Sequence, residues 1–145
     1  MIMHIIKKKR LNKVMQNNKF LIDIQHADLL LGIQDNYKNC YGTWLDKNTL
    51  KYKESCDPEV IVILQIDNEK ITIQRQGEMS STIICSLESR TKAKIETDFG
   101  AFDFDVVTEE VEISSKLLRV QYSLYQQDAI VSRFHVCWTI KEVQA

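Results

Sequence analysis

Glycine and proline are scarce in this chain of 145 residues, which contains four glycines and one proline. A phosphate-binding loop needs several closely spaced glycines, so four in the whole chain leave little room for one. No apolar run approaches the length of about 18 residues that a membrane-spanning helix requires. The sequence therefore predicts neither a nucleotide-binding loop nor a membrane span.

Metal-ligand and catalytic patterns are missing as well. The cysteines are Cys40, Cys56, Cys85 and Cys137, and the histidines are His4, His26 and His135. No two cysteines have the CxxC spacing of a zinc site, and no histidine lies near an identifiable nucleophile. The sequence therefore predicts no metal, no cofactor and no catalytic residue, and an enzyme is the least supported class of function.

Acidic residues are absent from the N-terminal segment. The first 19 residues carry six basic residues, Lys7, Lys8, Lys9 and Arg10 among them, whereas the other 126 residues carry 13 basic and 20 acidic residues. Phosphate binding requires clustered Lys and Arg side chains. The acidic body therefore argues against a nucleic-acid surface, and only the N-terminal segment is suited to contact RNA.

This segment lacks the features of an export signal, because its few apolar residues precede the basic run and no cleavage site follows. We therefore expect a cytoplasmic protein with reduced thiols. We divide the chain into a basic extension over residues 1–17 and a single domain over residues 18–145. The extension is either a solvated tail or a contact arm for RNA or an anionic membrane.

What the sequence does contain is a repeated period of two. Alternating sets of side chains include Phe20, Ile22, Ile24 and His26; Ala93, Ile95, Thr97 and Phe99; and Phe134, Val136, Trp138 and Ile140. Each set is typical of an antiparallel strand with one buried face and one wet face. After residue 37 no segment has a convincing helical period.

Short polar gaps separate these strands, as around Asp46 and around Asp67, and they predict tight hairpins. A row of antiparallel strands leaves two free sheet edges, and closure into a barrel removes both. We predict an all-β fold, an antiparallel up-and-down β-barrel of about 8–10 strands. A two-sheet sandwich is the alternative, although it usually needs longer connections between its sheets.

Several short motifs carry a family resemblance. "YKE" begins at Tyr52, "RQG" at Arg75 and "TDFG" at Thr97, while "GTW" begins at Gly42 and "YSL" at Tyr122. In this order and spacing they resemble the YwiB-like family of small bacterial β-barrels over roughly residues 18–143. The resemblance implies a fold similar to lipocalins and other calycins, cytoplasmic residence and no established activity. Ile95 departs from the pattern, since an aromatic residue is expected ahead of "TDFG".

Two charged residues fall on the apolar side of the predicted strands. Glu54 lies two residues after Tyr52, and Arg75 lies two residues after Ile73. Because alternation fixes the face, both side chains are expected to point into the barrel. An isolated buried charge costs several kcal/mol, so the two either pair across the strand between them or lie at one open end in contact with water.

Two interpretations of this pair are open. As a structural feature, it caps the barrel end and pins the strand register. As a binding site, its arginine receives a carboxylate or phosphate at an apolar lumen. The predicted lumen residues are Glu54, Arg75, Tyr52, His26, Phe102, Phe104, Tyr122 and Trp138.

The first functional prediction is therefore a non-enzymatic barrel that binds a small apolar or anionic molecule in its lumen. The alternative is a solid barrel that serves as an interaction module for a protein or RNA, through an exterior strand or the basic N-terminal segment. A homodimer is also compatible with the sequence. A lumen with room for a ligand favours the first prediction, and a packed interior or a large exposed apolar patch favours the second.

Overall fold

The structure, a computed structural model, describes residues 19–143. These residues form ten β-strands and no helix. The strands are β1 (Lys19–Asp28), β2 (Ile33–Asp46), β3 (Thr49–Cys56), β4 (Glu59–Asp67), β5 (Lys70–Gln76), β6 (Ser80–Ser86), β7 (Thr91–Thr97), β8 (Gly100–Ile113), β9 (Leu117–Gln126) and β10 (Ala129–Glu142). The predicted extension, residues 1–17, lies outside the described residues.

Every strand pairs antiparallel with the next strand along the chain, and β10 pairs with β1 to close the barrel. Ile22 lies opposite Ile140 in this closing seam, and Ile24 lies opposite Trp138. The prediction of an all-β, antiparallel up-and-down barrel is confirmed, and the sandwich alternative is wrong. Within residues 19–143 no helix is long and apolar enough to cross a membrane.

The alternating side chains that point inward form one continuous apolar core. The side chains of Leu50, Leu64, Ile71 and Leu118 have no exposed surface at all. A void large enough for a water molecule would leave accessible surface on the side chains around it. The middle of the barrel is therefore filled by side chains, as is common for barrels with few strands.

Up-and-down connectivity sorts the hairpin turns between the two ends of the barrel. One end, which we call the rim end, carries the connections after β1, β3, β5, β7 and β9. The opposite end, the polar end, carries the connections after β2, β4, β6 and β8 together with the start of β1 and the end of β10. Residues that lie far apart in the sequence thus share one end.

The "GTW" motif begins at a glycine that a larger residue cannot replace without displacing the core. A β-carbon on Gly42 would lie 2.4 Å from Cδ1 of Ile22, a side chain with no exposed surface. Gly42→Ala is expected to lower the free energy of unfolding by about 1–3 kcal/mol, since overpacking forces side chains out of their preferred rotamers. Chemical denaturation measures this loss.

The matched control for Gly42→Ala is Ile22→Val, which removes the colliding Cδ1 atom. In the wild-type background Ile22→Val should cost about 0.5–1.5 kcal/mol, as other such truncations do. In the Gly42→Ala background it should cost much less or restore stability. Strictly additive losses in the double variant would contradict this account of the glycine.

Candidate functional site

Glu54 and Arg75 form a bidentate ion pair on the inner side of the barrel wall near the rim end. Arg75 donates from Nη2 to Oε1 of Glu54 at 2.8 Å and from Nε to Oε2 at 3.3 Å. Glu54 is in β3 and Arg75 is in β5, so the pair reaches across β4, where Val62 lies opposite Arg75 on one side and Tyr52 on the other. The Glu54 side chain is 10% exposed and that of Arg75 is 40% exposed, so the guanidinium reaches solvent.

This geometry fills one edge of the Arg75 guanidinium, formed by Nε and Nη2, with an internal carboxylate. A guanidinium binds a carboxylate bidentately through two parallel N–H groups, and here Glu54 accepts both bonds. Burial lowers the pKa of Arg75, but the hydrogen bond and the charge of Glu54 outweigh it and raise that pKa overall. A small anion would have to displace the internal carboxylate before it received the same two bonds.

Tyr37 and His26 surround the pair where the barrel wall opens. The ladder between β2 and β3 runs only from Gly42 to Asp46 on the β2 side, so the two strands part toward the rim end. Burial, followed by the neighbouring Glu54 carboxylate, raises the pKa of the Tyr37 hydroxyl. Burial also lowers the pKa of His26, whose ring packs against Phe134 at 4.9 Å between centroids. The cluster therefore favours a neutral imidazole.

The other predicted lumen residues occupy two different environments. Tyr52, Tyr122 and Trp138 lie in the core with 4%, 2% and 1% of their surface exposed, and Trp138 Nε1 donates to the Tyr52 hydroxyl at 2.9 Å. Phe104 is half-buried and packs against this core. These residues fill the interior of the barrel.

Phe102 corrects the lumen prediction, because it is 42% exposed. It faces the same side as the fully buried Val106, but the ladder between β8 and β9 begins only at Asp105. The first residues of β8 therefore extend beyond β9 in a projecting hairpin with β7. Phe99, at the tip of that hairpin, is 95% exposed and also lies outside the core.

Exposed apolar side chains are concentrated at the rim end. Among residues 19–143, thirteen large apolar side chains are exposed. Nine of them lie at the rim end and form what we call the apolar rim: Leu29, Leu30, Leu31, Ile33, Met79, Phe99, Phe102, Ile130 and Val131. Scattered single apolar residues are normal on a protein surface, whereas here most of the exposed ones lie in the turns and strand ends at one end of the barrel.

Polar groups hold the three consecutive leucines of the rim outward. Oδ1 of Asp28 accepts hydrogen bonds from the backbone N–H groups of Leu30 at 3.1 Å and Leu31 at 3.0 Å. Gly32 closes the turn by donating to the Asp28 carbonyl at 2.8 Å, with a φ of 70° that glycine adopts without strain. Asp28 thus accepts hydrogen bonds from the backbone N–H groups of Leu30, Leu31 and Gly32, while the leucine side chains remain exposed.

A second turn presents Phe99 in a similar way. The hydroxyl of Thr97 accepts a hydrogen bond from the Phe99 backbone N–H at 3.1 Å and donates to the Gly100 carbonyl at 3.2 Å. Gly100 has a φ of 128°, which favours glycine. The "TDFG" motif therefore builds a turn with an aromatic ring at its tip.

Charge also differs between the two ends. The turns after β3, β5, β7 and β9 each contain one acid and no lysine or arginine, and their acids are Asp57, Glu78, Asp98 and Asp128. The turns of the polar end mix both signs: Lys47, Glu69, Glu88, Arg90 and Lys116. Four of the five rim-end turns are therefore acidic, and the turn after β1 carries no charged residue.

Sequence reasoning missed the rim because each of its residues looks unremarkable in its own turn. The signal that finds it is the parity of the turns, since in an up-and-down barrel every second turn lies at the same end. Sorting the turns in this way collects the apolar residues and the acids without any coordinates.

Two open grooves lie on the surface formed by residues 19–143. One, of about 260 Å³, is lined by Lys92, Phe104, Asp105 and Tyr125 among others. Another, of about 400 Å³, lies between two polar-end turns and is lined by Asp46, Lys47, Asp67 and Lys70 among others. In residues 19–143 no group of three or more His, Cys, Asp or Glu side chains is arranged to hold a metal ion.

Comparison with known proteins agrees with the resemblance inferred from the motifs. The crystal structure of the YwiB protein from Bacillus subtilis superposes with a TM-score of 0.63 at 13% identity, over 89% of this chain and 94% of that one. This likeness concerns the fold. No curated protein matches the chain. A family model described as "Domain of unknown function (DUF1934)" matches residues 38–137, and the chain belongs to that family.

Proposed function

We propose that this barrel is an interaction module whose apolar rim binds a polypeptide segment that is both apolar and basic. The observation that carries the proposal is the gathering of nine exposed apolar side chains at one end of the barrel. Keeping such side chains in water costs free energy that burial against a partner recovers, at about 25 cal/mol per Å².

Six of the nine rim residues belong to neighbouring hairpins. Leu29, Leu30 and Leu31 lie in the turn between β1 and β2, and Ile33 begins β2. Ile130 and Val131 lie at the start of β10, which pairs with β1. The Leu29 N–H donates to the Arg133 carbonyl at 2.8 Å, which ties the two hairpins together. This part of the rim offers an apolar partner a supported surface.

The acidic turns select the charge of the partner. A segment that carries Lys or Arg beside its apolar residues gains from Asp98, Asp128 and their neighbours, whereas an acidic segment, a nucleic acid or an anionic membrane is repelled. RNA contact through Lys7, Lys8, Lys9 and Arg10 stays a prediction, and those residues lie outside the described part of the chain.

Two other modes of binding have less support. Side chains fill the middle of the barrel, which disfavours a small ligand in the lumen. The exterior edge of β2 lies outside its ladder with β3 over residues 33–41. A bulge there, with Asn39 at a φ of 54°, and the exposed Lys38 are features that discourage strand addition.

The proposal is tested with the full chain and a short fluorescent peptide of alternating leucine and lysine. Fluorescence anisotropy is expected to show saturable binding that weakens with added salt. A peptide of alternating leucine and glutamate, at the same concentrations, is the control and should bind much more weakly. Equal affinity for the two peptides, or no saturable binding of either, would overturn the proposal.

Paired variants locate the binding surface. Leu31→Ser and Phe99→Ser should each weaken binding about fivefold, which corresponds to about 1 kcal/mol. Leu45→Ser removes a side chain that is 57% exposed away from the rim and should have no effect. Asp98→Asn should weaken binding at low salt, and Glu69→Gln at the polar end should not. Equal effects at both ends would contradict a site at the rim.

A further inference from the structure

We infer that residues 1–18 of this chain are themselves a ligand of the apolar rim and occupy the rim of their own barrel. This inference rests on the proposed function and names an occupant for the same surface. It makes the protein a binding module that carries its own competitor, so that an external partner must displace the segment.

The chemistry of the segment matches that of the rim. Met1, Ile2, Met3, Ile5 and Ile6 supply large apolar side chains, and four consecutive basic residues follow at positions 7–10. The segment carries no acidic residue before β1. Apolar residues next to clustered positive charge are what an apolar surface set among acidic turns should bind.

The length of the segment also fits. The segment joins β1 at Lys19, at the polar end, and must run back along the outside of the barrel to reach the rim. β1 has 10 residues and therefore spans about 33 Å. The stretch from Arg10 to Lys19 spans about 30 Å when extended, which brings the basic run to the acidic turns and the residues before it to the rim.

The rim hairpins beside β1 are the natural destination. β1 is flanked by β2 and β10, and six of the nine rim residues lie at the start of these two strands or in the turn between β1 and β2. A tethered segment acts at an effective concentration on the order of millimolar. Even a weak contact would therefore be largely formed within one chain and would compete with added peptide.

The experiment compares three full-length chains with one probe, a fluorescent synthetic peptide of residues 1–18. The receptors are the wild type, the variant Lys8→Glu/Lys9→Glu and the matched control Lys51→Glu/Lys116→Glu. Both variants change the net charge equally, but the control changes are in β3 and in a polar-end turn. The first variant should bind the probe about tenfold more tightly than the wild type and the control, because its own segment no longer competes. Adding Leu31→Ser to it should weaken probe binding about fivefold and so reverse most of that gain.

The outcomes separate this inference from the function it rests on. Equal affinity of all three chains for the probe overturns the inference and leaves the rim as a peptide-binding site. Binding of the leucine–lysine peptide without binding of the probe does the same. Failure of both peptides to bind any chain overturns the proposed function as well. A dimeric mass of the wild type that Lys8→Glu/Lys9→Glu abolishes would show that the segment binds a neighbouring copy and would overturn the arrangement within one chain.

Discussion

Replacement of Trp138 by alanine is expected to lower the free energy of unfolding by about 3–5 kcal/mol. Trp138 is the largest side chain that is fully buried, with 1% of its surface exposed. Its loss would open a cavity in the packed interior and leave the Tyr52 hydroxyl without its donor at 2.9 Å. Urea denaturation followed by far-ultraviolet circular dichroism measures the change.

Two companion variants separate the cavity from the hydrogen bond. Tyr52→Phe keeps the ring but leaves the buried indole N–H without an acceptor, which should cost about 1–3 kcal/mol. Tyr41→Ala removes an aromatic side chain that is 73% exposed and should change stability by less than about 0.5 kcal/mol. A loss for Trp138→Ala no larger than that for Tyr41→Ala would contradict a solid barrel interior.

Replacement of Arg75 by methionine is expected to cost about 1–3 kcal/mol, because it leaves the Glu54 carboxylate without its partner. Only 10% of the Glu54 side chain is exposed, so water replaces the lost guanidinium poorly. The cost falls below that of a fully buried pair because 40% of the Arg75 side chain is already in contact with solvent. The same denaturation measurement applies.

The double variant Glu54→Leu/Arg75→Met tests whether the penalty comes from the stranded charge. An apolar pair of similar size often replaces a buried ion pair at little cost, so the double variant should be more stable than Arg75→Met alone. Additive losses would show that the two side chains act independently. They would also contradict the bidentate contact as the reason for their positions.

Local alternation made much of the barrel predictable. Residues two apart on a strand face the same side, so the inward positions of Ile22, Tyr52 and Trp138 follow from the sequence. The same rule predicted that Glu54 and Arg75 lie on the inner face of the barrel. It did not decide whether they pair with each other or lie at an open end in contact with water. Closure between β1 and β10 depends on contacts between distant parts of the chain. Alternation alone therefore did not exclude a two-sheet sandwich.

The alternation rule predicted burial wrongly where one strand extends beyond the end of its neighbour. Phe102 lies on the same side of β8 as Val106, yet β9 does not extend far enough to cover it. The sequence of β8 alone cannot show where β9 ends. The rim escaped notice for a related reason. Its residues come together only when turns after β1, β5, β7 and β9 are assigned to one end, which requires the topology first.

The closing seam between β1 and β10 has a consequence for how the chain folds. Lys141 and Asp23 form an ion pair across this seam although they are 118 residues apart in sequence. Contacts between residues so far apart in the sequence have the largest entropic cost of loop closure. They therefore form slowly, after the local hairpins. Until they form, β1 and β10 are two unpaired edges with apolar faces. Aggregation during refolding should therefore begin at these two strands, and dilution should suppress it.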